Sequence, residues 1–466
     1  MSITGLLFTV RDSLLANQLA IDITGANVAN VNTPGYTRQR TNMESLGTVD
    51  VKNVSAQIGV SVNRIERIYD RYVDSQIFEQ RQKSGYSDTM TQGLQNISLI
   101  LDDTQGGGIN DQLNKFWSAW ENLSSNPTGK VEKSALLTIA EDLTAMLDSY
   151  MRDLDTINTD MNRNIADVVS QINDKADEIS DLNEKITGTG GGDIGNKNDL
   201  LDKRSEALRE LATLVDINQL ENTDGTINVY LSNGVSLVQG QNSRHLSVQV
   251  DANDRSFVYS ADTPDEPINS ALTKGKLGAY IELQTVVVPE YVDSMNRFTI
   301  AFSDRVNALH SSGFDAYKNT GVDFFTITDE NNADGTISRS ITVNSAIASD
   351  IGRIACSLTV SGDGDNASRI SAAQYELLMD GNTSTLNGFL ASMVGQIGLQ
   401  VATAQTDNDR QSVLMNHLSN QREAASGVSI DEEMILLIKY QMGYTTAGKL
   451  CTTVDEMLDT LMGLAK

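Results

Sequence analysis

Apolar residues recur every seven positions at both ends of the chain. Near the N-terminus Leu7, Leu14, Ile21 and Val28 form one row, with Val10, Asn17, Thr24 and Val31 three places behind. That spacing predicts an a/d stripe along one helical face. At the C-terminus Ile430, Leu437, Tyr444, Cys451, Leu458 and Ala465 share one row, while Tyr440, Ala447, Val454 and Leu461 fill the second. Between the two seams the pattern changes several times. A polar, β-leaning stretch runs from Met43 to Ile65. A long helical period then starts near Val131 and continues to Ile186, through Leu136, Ala140, Leu143, Leu147, Tyr150, Leu154, Ile157 and Met161 to a stutter at Ile165. More than fifty helical residues make a rod of roughly 80 Å, too long for one compact domain.

Glycines from Gly188 to Gly195 stop that helix. After a short helix over Asn198 to Leu214 the period drops to two, with an Asp224-Gly225 turn and strand-like runs up to Tyr259. Helical signal resumes at Lys276 and is expected to break at Pro289. It then carries Val292, Met295, Phe298, Phe302, Val306 and Leu309 on one face. A second mixed stretch follows from Gly313 to Ser371, and the chain is helical again from Leu386 to Ala425.

The layout is nested. Residues 1–42 and 426–466 are expected to form a terminal coiled-coil unit, and 43–205, 272–315 and 372–425 a helical rod. A β-rich insertion covers 206–271 and a short mixed β segment 316–371. The fold class is mainly α with inserted β: a terminal α-helical coiled-coil layer, a long helical-bundle rod layer and a small β-rich outer domain.

Composition narrows what such a chain can do. With 466 residues and 39% hydrophobic content it can fill more than one core. A formal charge of −27 disfavours nucleic acid and anionic lipid as partners. No apolar run is long enough to insert into a membrane, and no secretory signal precedes Arg11. Two cysteines and three scattered histidines support neither a disulfide framework nor a metal site nor a catalytic pair. No cofactor is expected.

Motifs that suggest chemistry lack their context. Gly443, Gly448 and Lys449 imitate the start of a phosphate loop, but Leu450 replaces the metal-binding hydroxyl and the segment is a heptad helix. Small side chains there are better suited to close helix approach. Gly190, Gly192 and Gly195 follow a helix where a dinucleotide fingerprint needs a strand. Glu330, Asn332, Asp334 and Gly335 resemble a calcium loop, but its twelfth position is Ile341. Trp117 and Trp120 read as core. No catalytic residue is expected, and the chain is not read as an enzyme.

The most informative run is mechanical. Asn27, Val28, Asn30, Thr33, Pro34, Gly35 and Tyr36 end the first helix in a turn: Pro34 pushes Thr33 out of the α region, and Gly35 supplies the positive φ of a type II turn. Arg38 and Arg40 follow the helix C-terminus, while Ser429 with Glu432 reads as a capping box opening the last helix. The segment NVANVNTPGYTR closely resembles the N-terminal signature of the flagellar axial family of rod, hook and hook-associated proteins. The segment SIDEEMILLIKYQMGYTTAGKLCTTVDEMLDTL resembles their C-terminal helix. Asn198-Asp199-Leu200-Leu201-Asp202-Lys203-Arg204, Asn233 to Val238 and Ser426 to Ser429 look like internal landmarks of the hook-associated branch.

The resemblance implies a structural subunit outside the cell, at the hook–filament junction, exported by the flagellar type III apparatus without a cleaved signal. It implies a homo-oligomeric ring touching the hook protein and hook-associated protein 3, with an export chaperone covering the C-terminal helix beforehand. A hook, rod or filament subunit with the same ends is the alternative. The expected assembly residues are Leu7, Val10, Leu14, Ile21 and Val28 with the Asn27–Tyr36 turn. On the last helix, Ile430, Leu437, Tyr440, Tyr444, Val454, Leu458 and Leu461 are expected to serve both assembly and the chaperone. The residues themselves agree: helix propensity between Ile21 and Val31 is unfavourable by roughly 4–5 kcal/mol. Burying the leucine row returns roughly 6–12 kcal/mol only when a partner is present. The ends are therefore expected to order on assembly.

Overall fold

The computed structural model describes residues 3–33, 35–45, 48–51, 54–57, 59–101, 107–188, 194–251, 254–331, 337–359 and 362–464. Helix α1 (Ile3–Ala29) leads into strands β1 (Gln39–Ser45), β2 (Thr48–Val51), β3 (Val54–Gln57) and β4 (Val60–Arg67). Strands β1 and β4 pair antiparallel with Gln39 opposite Arg67 and Thr41 opposite Ile65, returning the chain to the foot of α1. Helices α2 (Arg71–Ile100), α3 (Ile109–Ser125), α4 (Lys130–Gly188) and α5 (Ile194–Leu214) follow. Asp70 caps α2, its Oδ1 accepting from the N–H groups of Tyr72 and Val73.

At 59 residues, α4 is about 90 Å long and spans two separate cores. Its inward row runs Leu136, Ala140, Leu143, Leu147, Met151, Leu154, Asn158, Met161 and Ile165. The two consecutive steps of four fall at Leu143–Leu147–Met151, upstream of the expected stutter at Ile165, and Tyr150 and Ile157 lie on the flank. The shifted row makes a polar contact. Asn158 turns inward because its Nδ2 donates to the Asp254 carbonyl, tying the rod to the inserted β region.

That region begins with β5 (Ile217–Glu221), β6 (Ile227–Leu231), β7 (Ser236–Gln239) and β8 (Asn242–Ser243), a four-stranded antiparallel meander. A three-stranded sheet of β9 (Leu246–Val250), β10 (Ser256–Ser260) and β11 (Thr263–Pro267) lies next in sequence. Val229, Leu231, Leu237, Val238 and Val258 point from these sheets onto Ile165–Ile179 of α4 and Leu208–Leu211 of α5. Val229 and Leu231 of β6 follow the alternation of period two, whereas the adjacent Leu237 and Val238 of β7 are both buried.

Pro289 does not break the chain. Helix α6 (Gly275–Glu282) runs through a π turn (Leu283–Val287) into α7 (Val288–Ser311). The wider turn accommodates the missing proline N–H, so one continuous helix replaces the expected break. The second core holds β12 (Phe325–Asn331), β13 (Ile337–Val343), α8 (Ser345–Ser349) and α9 (Asp365–Ala372) around an aromatic cluster. Phe116, Trp117, Trp120, Phe302, Phe324 and Phe325 are all at most 1% exposed and meet largely edge to face. Asn332, Asp334 and Gly335 of the calcium-like run lie outside the described residues, as do Gly190 and Gly192.

His310 is sealed beside those rings. Its Nδ1 lies 2.5 Å from the Val322 carbonyl, and its Nε2 accepts from the Ala355 N–H at 2.9 Å, which fixes a neutral ring protonated on Nδ1. Burial lowers its pKa to about 4. The unfolded chain takes up this proton below about pH 6.5 and the folded one resists it until about pH 4. Rod stability is therefore expected to fall by about 3 kcal/mol as pH drops across that window. Urea melts of the parent and of His310→Gln check this: the variant loses the histidine share of the slope.

Helix α10 (Leu386–Ser426) buries Leu386, Phe389, Leu390, Met393 and Ile397 and then runs on beside α2. There the contacts turn polar, with Gln80 Nε2 donating to Gln411 Oε1 at 2.6 Å. Helix α11 (Ile430–Leu464) turns back and packs along α1. No described helix is long and apolar enough to cross a membrane.

Candidate functional site

The two terminal helices run antiparallel, Val10 and Asn17 facing the middle of α11 and Asn27 facing its first turn. Their contact is made by small residues. On α1 the buried positions are Val10, Ala16, Ala20, Thr24 and Asn27; on α11 they are Glu433, Ala447 and Val454. Thr24 enters this seam because its hydroxyl donates to the Ala20 carbonyl within the helix. A Cβ on Gly443 would sit 2.5 Å from Asn17 Oδ1, so glycine is what lets the helices approach. Gly443 thus meets the expectation of close packing, whereas a Cβ on Gly448 would meet nothing within 4 Å.

The leucine row stands aside. Leu7, Leu14, Ile21 and Val28 are half-buried on the flank of α1, and Phe8 and Leu15 beside them are 52% and 58% exposed. On α11 Leu437, Tyr440 and Leu458 are half-buried, while Ile430, Tyr444 and Leu461 are exposed. The small row was the stronger magnet, because backbones that approach closely exclude the bulky row from the seam. Ile435, Ile438 and Met442 are also open, at 67%, 49% and 61%. Heptad reading missed these exposed side chains, since it assigns residues to one seam and a helix pair has several faces.

Below the pair, the turn forms a knot. Asn27 Oδ1 accepts from the Gln39 N–H at 3.0 Å and from the Tyr36 hydroxyl at 2.9 Å. Its Nδ2 donates to the Gln39 carbonyl and to Glu433 Oε2, both at 2.9 Å. All of the hydrogen-bonding capacity an interior amide can use locally is engaged. Asn30 Nδ2 closes the helix end on the Ala26 carbonyl, and the Thr33 hydroxyl donates to Asn30 Oδ1. Gly35 has φ +82°, the left-handed conformation expected of it; Pro34 lies outside the described residues.

Arg38 fastens the knot to α11. Its Nη1 donates to Glu432 at 2.8 Å and its Nη2 lies 2.7 Å from Glu433, a carboxylate only 1% exposed. Glu432 therefore serves Arg38, not the capping box expected with Ser429. A third element joins from α5. Asp202 accepts from the Thr37 N–H at 3.1 Å and pairs with Arg67 at 2.6 Å, while Asn198 Nδ2 donates to Gln39 Oε1. Burial outweighs these partners and raises the Asp202 pKa. Burial, with Asp202 and Glu433 adding to it, pushes the Tyr36 phenol up to about 12, so it remains a donor to Asn27. Arg422 of α10 donates to the Gly35 carbonyl at 3.2 Å.

The knot thus gathers α1, β1, α5, α10 and α11 around one turn. Asn27, Asn30, Gly35 and Tyr36 were expected there. Glu433, Asp202, Asn198 and Arg38 were legible only as parts of motifs, because nothing in sequence spacing says which distant carboxylate meets which cation. Its chemistry is fixation: Asn27, Tyr36, Arg38, Asp202 and Glu433 each have a hydrogen-bonding or ionic partner, and no described group of three His, Cys, Asp or Glu residues is placed to hold a metal.

Residues 94–325 match the model of the flagellar hook-associated protein FlgK helical domain. Residues 13–37 match a flagella basal body rod protein model, and 420–464 that of the flagellar basal body rod FlgEFG protein C-terminal region. Among relatives, flagellar hook-associated protein 1 of Bacillus subtilis is 26% identical over 97% of each chain. The proteins of the same name in Salmonella typhimurium and Escherichia coli are also 26% identical, over 97% and 99% of this chain and 98% and 100% of theirs. A solved structure, the flagellar hook junction protein FlgK from Burkholderia pseudomallei, superimposes with TM-score 0.66 at 14% identity. It covers 76% of this chain and 100% of the other, which fixes a shared fold.

Proposed function

The chain belongs to the flagellar hook-associated protein 1 family of structural flagellar components, and from that premise we propose that it forms a thin ring joining hook to filament. Export runs through the flagellar type III apparatus without a cleaved signal. The hook protein and hook-associated protein 3 are its neighbours, and a chaperone covers α11 before export. In this reading 1–42 with 426–466 is the unit that enters the tube; 43–205, 272–315 and 372–425 form the supporting rod. The portions 206–271 and 316–371 are carried outward.

One observation carries the proposal: the terminal helix pair leaves Phe8, Leu15, Ile435, Ile438 and Met442 uncovered while the knot below it is fully tied. A soluble monomer gains nothing from such a face, and an axial assembly covers it. A second reading, a hook or rod subunit, draws on the rod-protein matches at both ends. Length separates the two. Fluorescent labelling of a cysteine-tagged chain on intact flagella should give one spot per flagellum where hook and filament meet; a continuous labelled hook or rod defeats the junction reading.

A further inference from the structure

At the outer side of the knot lies a cleft of about 900 Å³ between the Asn30–Tyr36 turn, α2, α5 and the end of α10. Four arginines line it: Arg38 just after the turn, Arg81 of α2, Arg209 of α5 and Arg422 of α10. Three have acidic partners, Arg38 being held by Glu432 and Glu433. Arg209, 7% exposed, pairs with Glu206 at 3.2 Å, and Arg422 lies 3.8 Å from Asp74 while holding the Gly35 carbonyl. Arg81 differs. Its Nε is buried without a hydrogen-bond partner, and its guanidinium makes no ion pair among the described residues. Glu423 lies exposed at the rim, and Glu432 is engaged by Arg38.

Four guanidinium groups converging on one cleft repel each other. Burial lowers the Arg209 pKa; Glu206 opposes the shift, and the charges of Arg422 and Arg81 add to it. Leaving an arginine half-buried and unpaired costs stability unless another group completes it. A carboxylate fits the planar fork of Arg81. The chain carries 62 acidic against 35 basic residues, so a second copy offers more carboxylates than cations. The cleft also adjoins the terminal pair, where the proposed assembly brings copies together.

We propose that this cleft is a socket for a carboxylate-bearing segment of a neighbouring copy, with Arg81 as its principal contact. The inference rests on the ring-forming reading and adds a residue to it. Occupation locks the angle between the terminal pair and the rod, because the socket walls belong to both.

The test compares Arg81→Gln, Arg81→Glu and Arg81→Lys in the full chain, scoring incorporation into flagella and the melting temperature of the monomer. Since Arg81 has no ion partner among the described residues, the melting temperature is expected to stay level or rise in Arg81→Gln. Incorporation is expected to fall about tenfold in Arg81→Gln, further in Arg81→Glu, and less in Arg81→Lys. Normal incorporation of Arg81→Glu overturns the socket. Inorganic phosphate is the probe for a free anion: if it raises the melting temperature of the parent but not of Arg81→Gln, while Arg81→Glu still incorporates, the cleft binds small anions only and the socket is again overturned. A control carrying Leu15→Asp and Ile438→Asp separates the two ideas. If the control fails to incorporate and Arg81→Glu does not, the socket alone is wrong; if both incorporate normally, the assembly reading itself falls.

Discussion

Leu15→Asp combined with Ile438→Asp is expected to abolish incorporation into the flagellum while leaving the monomer's melting temperature within about 2 °C of the parent. Both side chains face water in the monomer, at 58% and 49% exposure, so the exchange removes little packing from it. In an assembly that covers them, each apolar side chain is worth roughly 1.5–3 kcal/mol, and a buried carboxylate adds a desolvation penalty. Two sites together exceed about 3 kcal/mol, more than a hundredfold in association. Quantitative blotting of purified flagella measures it. Incorporation at parental levels would show that this face stays exposed in the tube. Leu7, Leu14, Ile21 and Val28 are poorer test sites: they are half-buried in the monomer, so their replacement confuses folding with assembly.

The second large effect is expected at Glu433. Alanine there leaves Arg38 without its inner carboxylate and takes one acceptor from Asn27, at a carboxylate only 1% exposed. Arg38 keeps Glu432, so the loss is its second, buried partner together with an unsatisfied Asn27 donor, about 3 kcal/mol in all. The rod core shares no residue with this knot, so its unfolding midpoint should not move. Incorporation should fall about a hundredfold or more, and flagella that do form should shed the protein at lower temperature. The companion change distinguishes stranding from lost attraction. Glu433→Met with Arg38→Met removes both charges, and is expected to recover much of the loss. A double variant as defective as Glu433→Ala would show that Glu433 acts through something other than Arg38.

These two expectations draw on different kinds of information. The face at Leu15 belongs to a pattern already present in the chain: apolar residues at helical spacing that exceed what one partner helix can cover. The Glu433 knot does not. Glu433 lies in an acidic run, Asp431-Glu432-Glu433, that reads as a first-turn charge complement to the helix dipole. Only packing turns one of the three inward, beneath Asn27. The Asn27–Tyr36 turn was legible because proline, glycine and asparagine restrict the backbone locally, whatever surrounds them. Its partners in α5 and α10 were not, because Asp202 and Arg422 reach it from 165 and 387 residues away.

The long helix shows the same division. Its existence and its length followed from a sustained apolar period, since period reports local backbone geometry. Which residue of each turn faced inward did not always follow: Asn158 displaced Ile157 because a carbonyl of the β region was waiting there. Pro289 was expected to end a helix, and a π turn carried the chain past it because α6 and α7 are held on both sides by the core.

By itself, then, the sequence determined what depends on neighbours along the chain: the helical ends, the rod, the inserted strands, the turn that stops α1 and the family resemblance those segments carry. Tertiary structure decided what depends on neighbours in space. It chose the small row over the leucine row for the seam, buried Glu433, and set four arginines around one cleft. The reason is range. Backbone preference and periodicity act over a few residues, whereas close packing and charge pairing are decided by whichever surfaces the folded chain brings together.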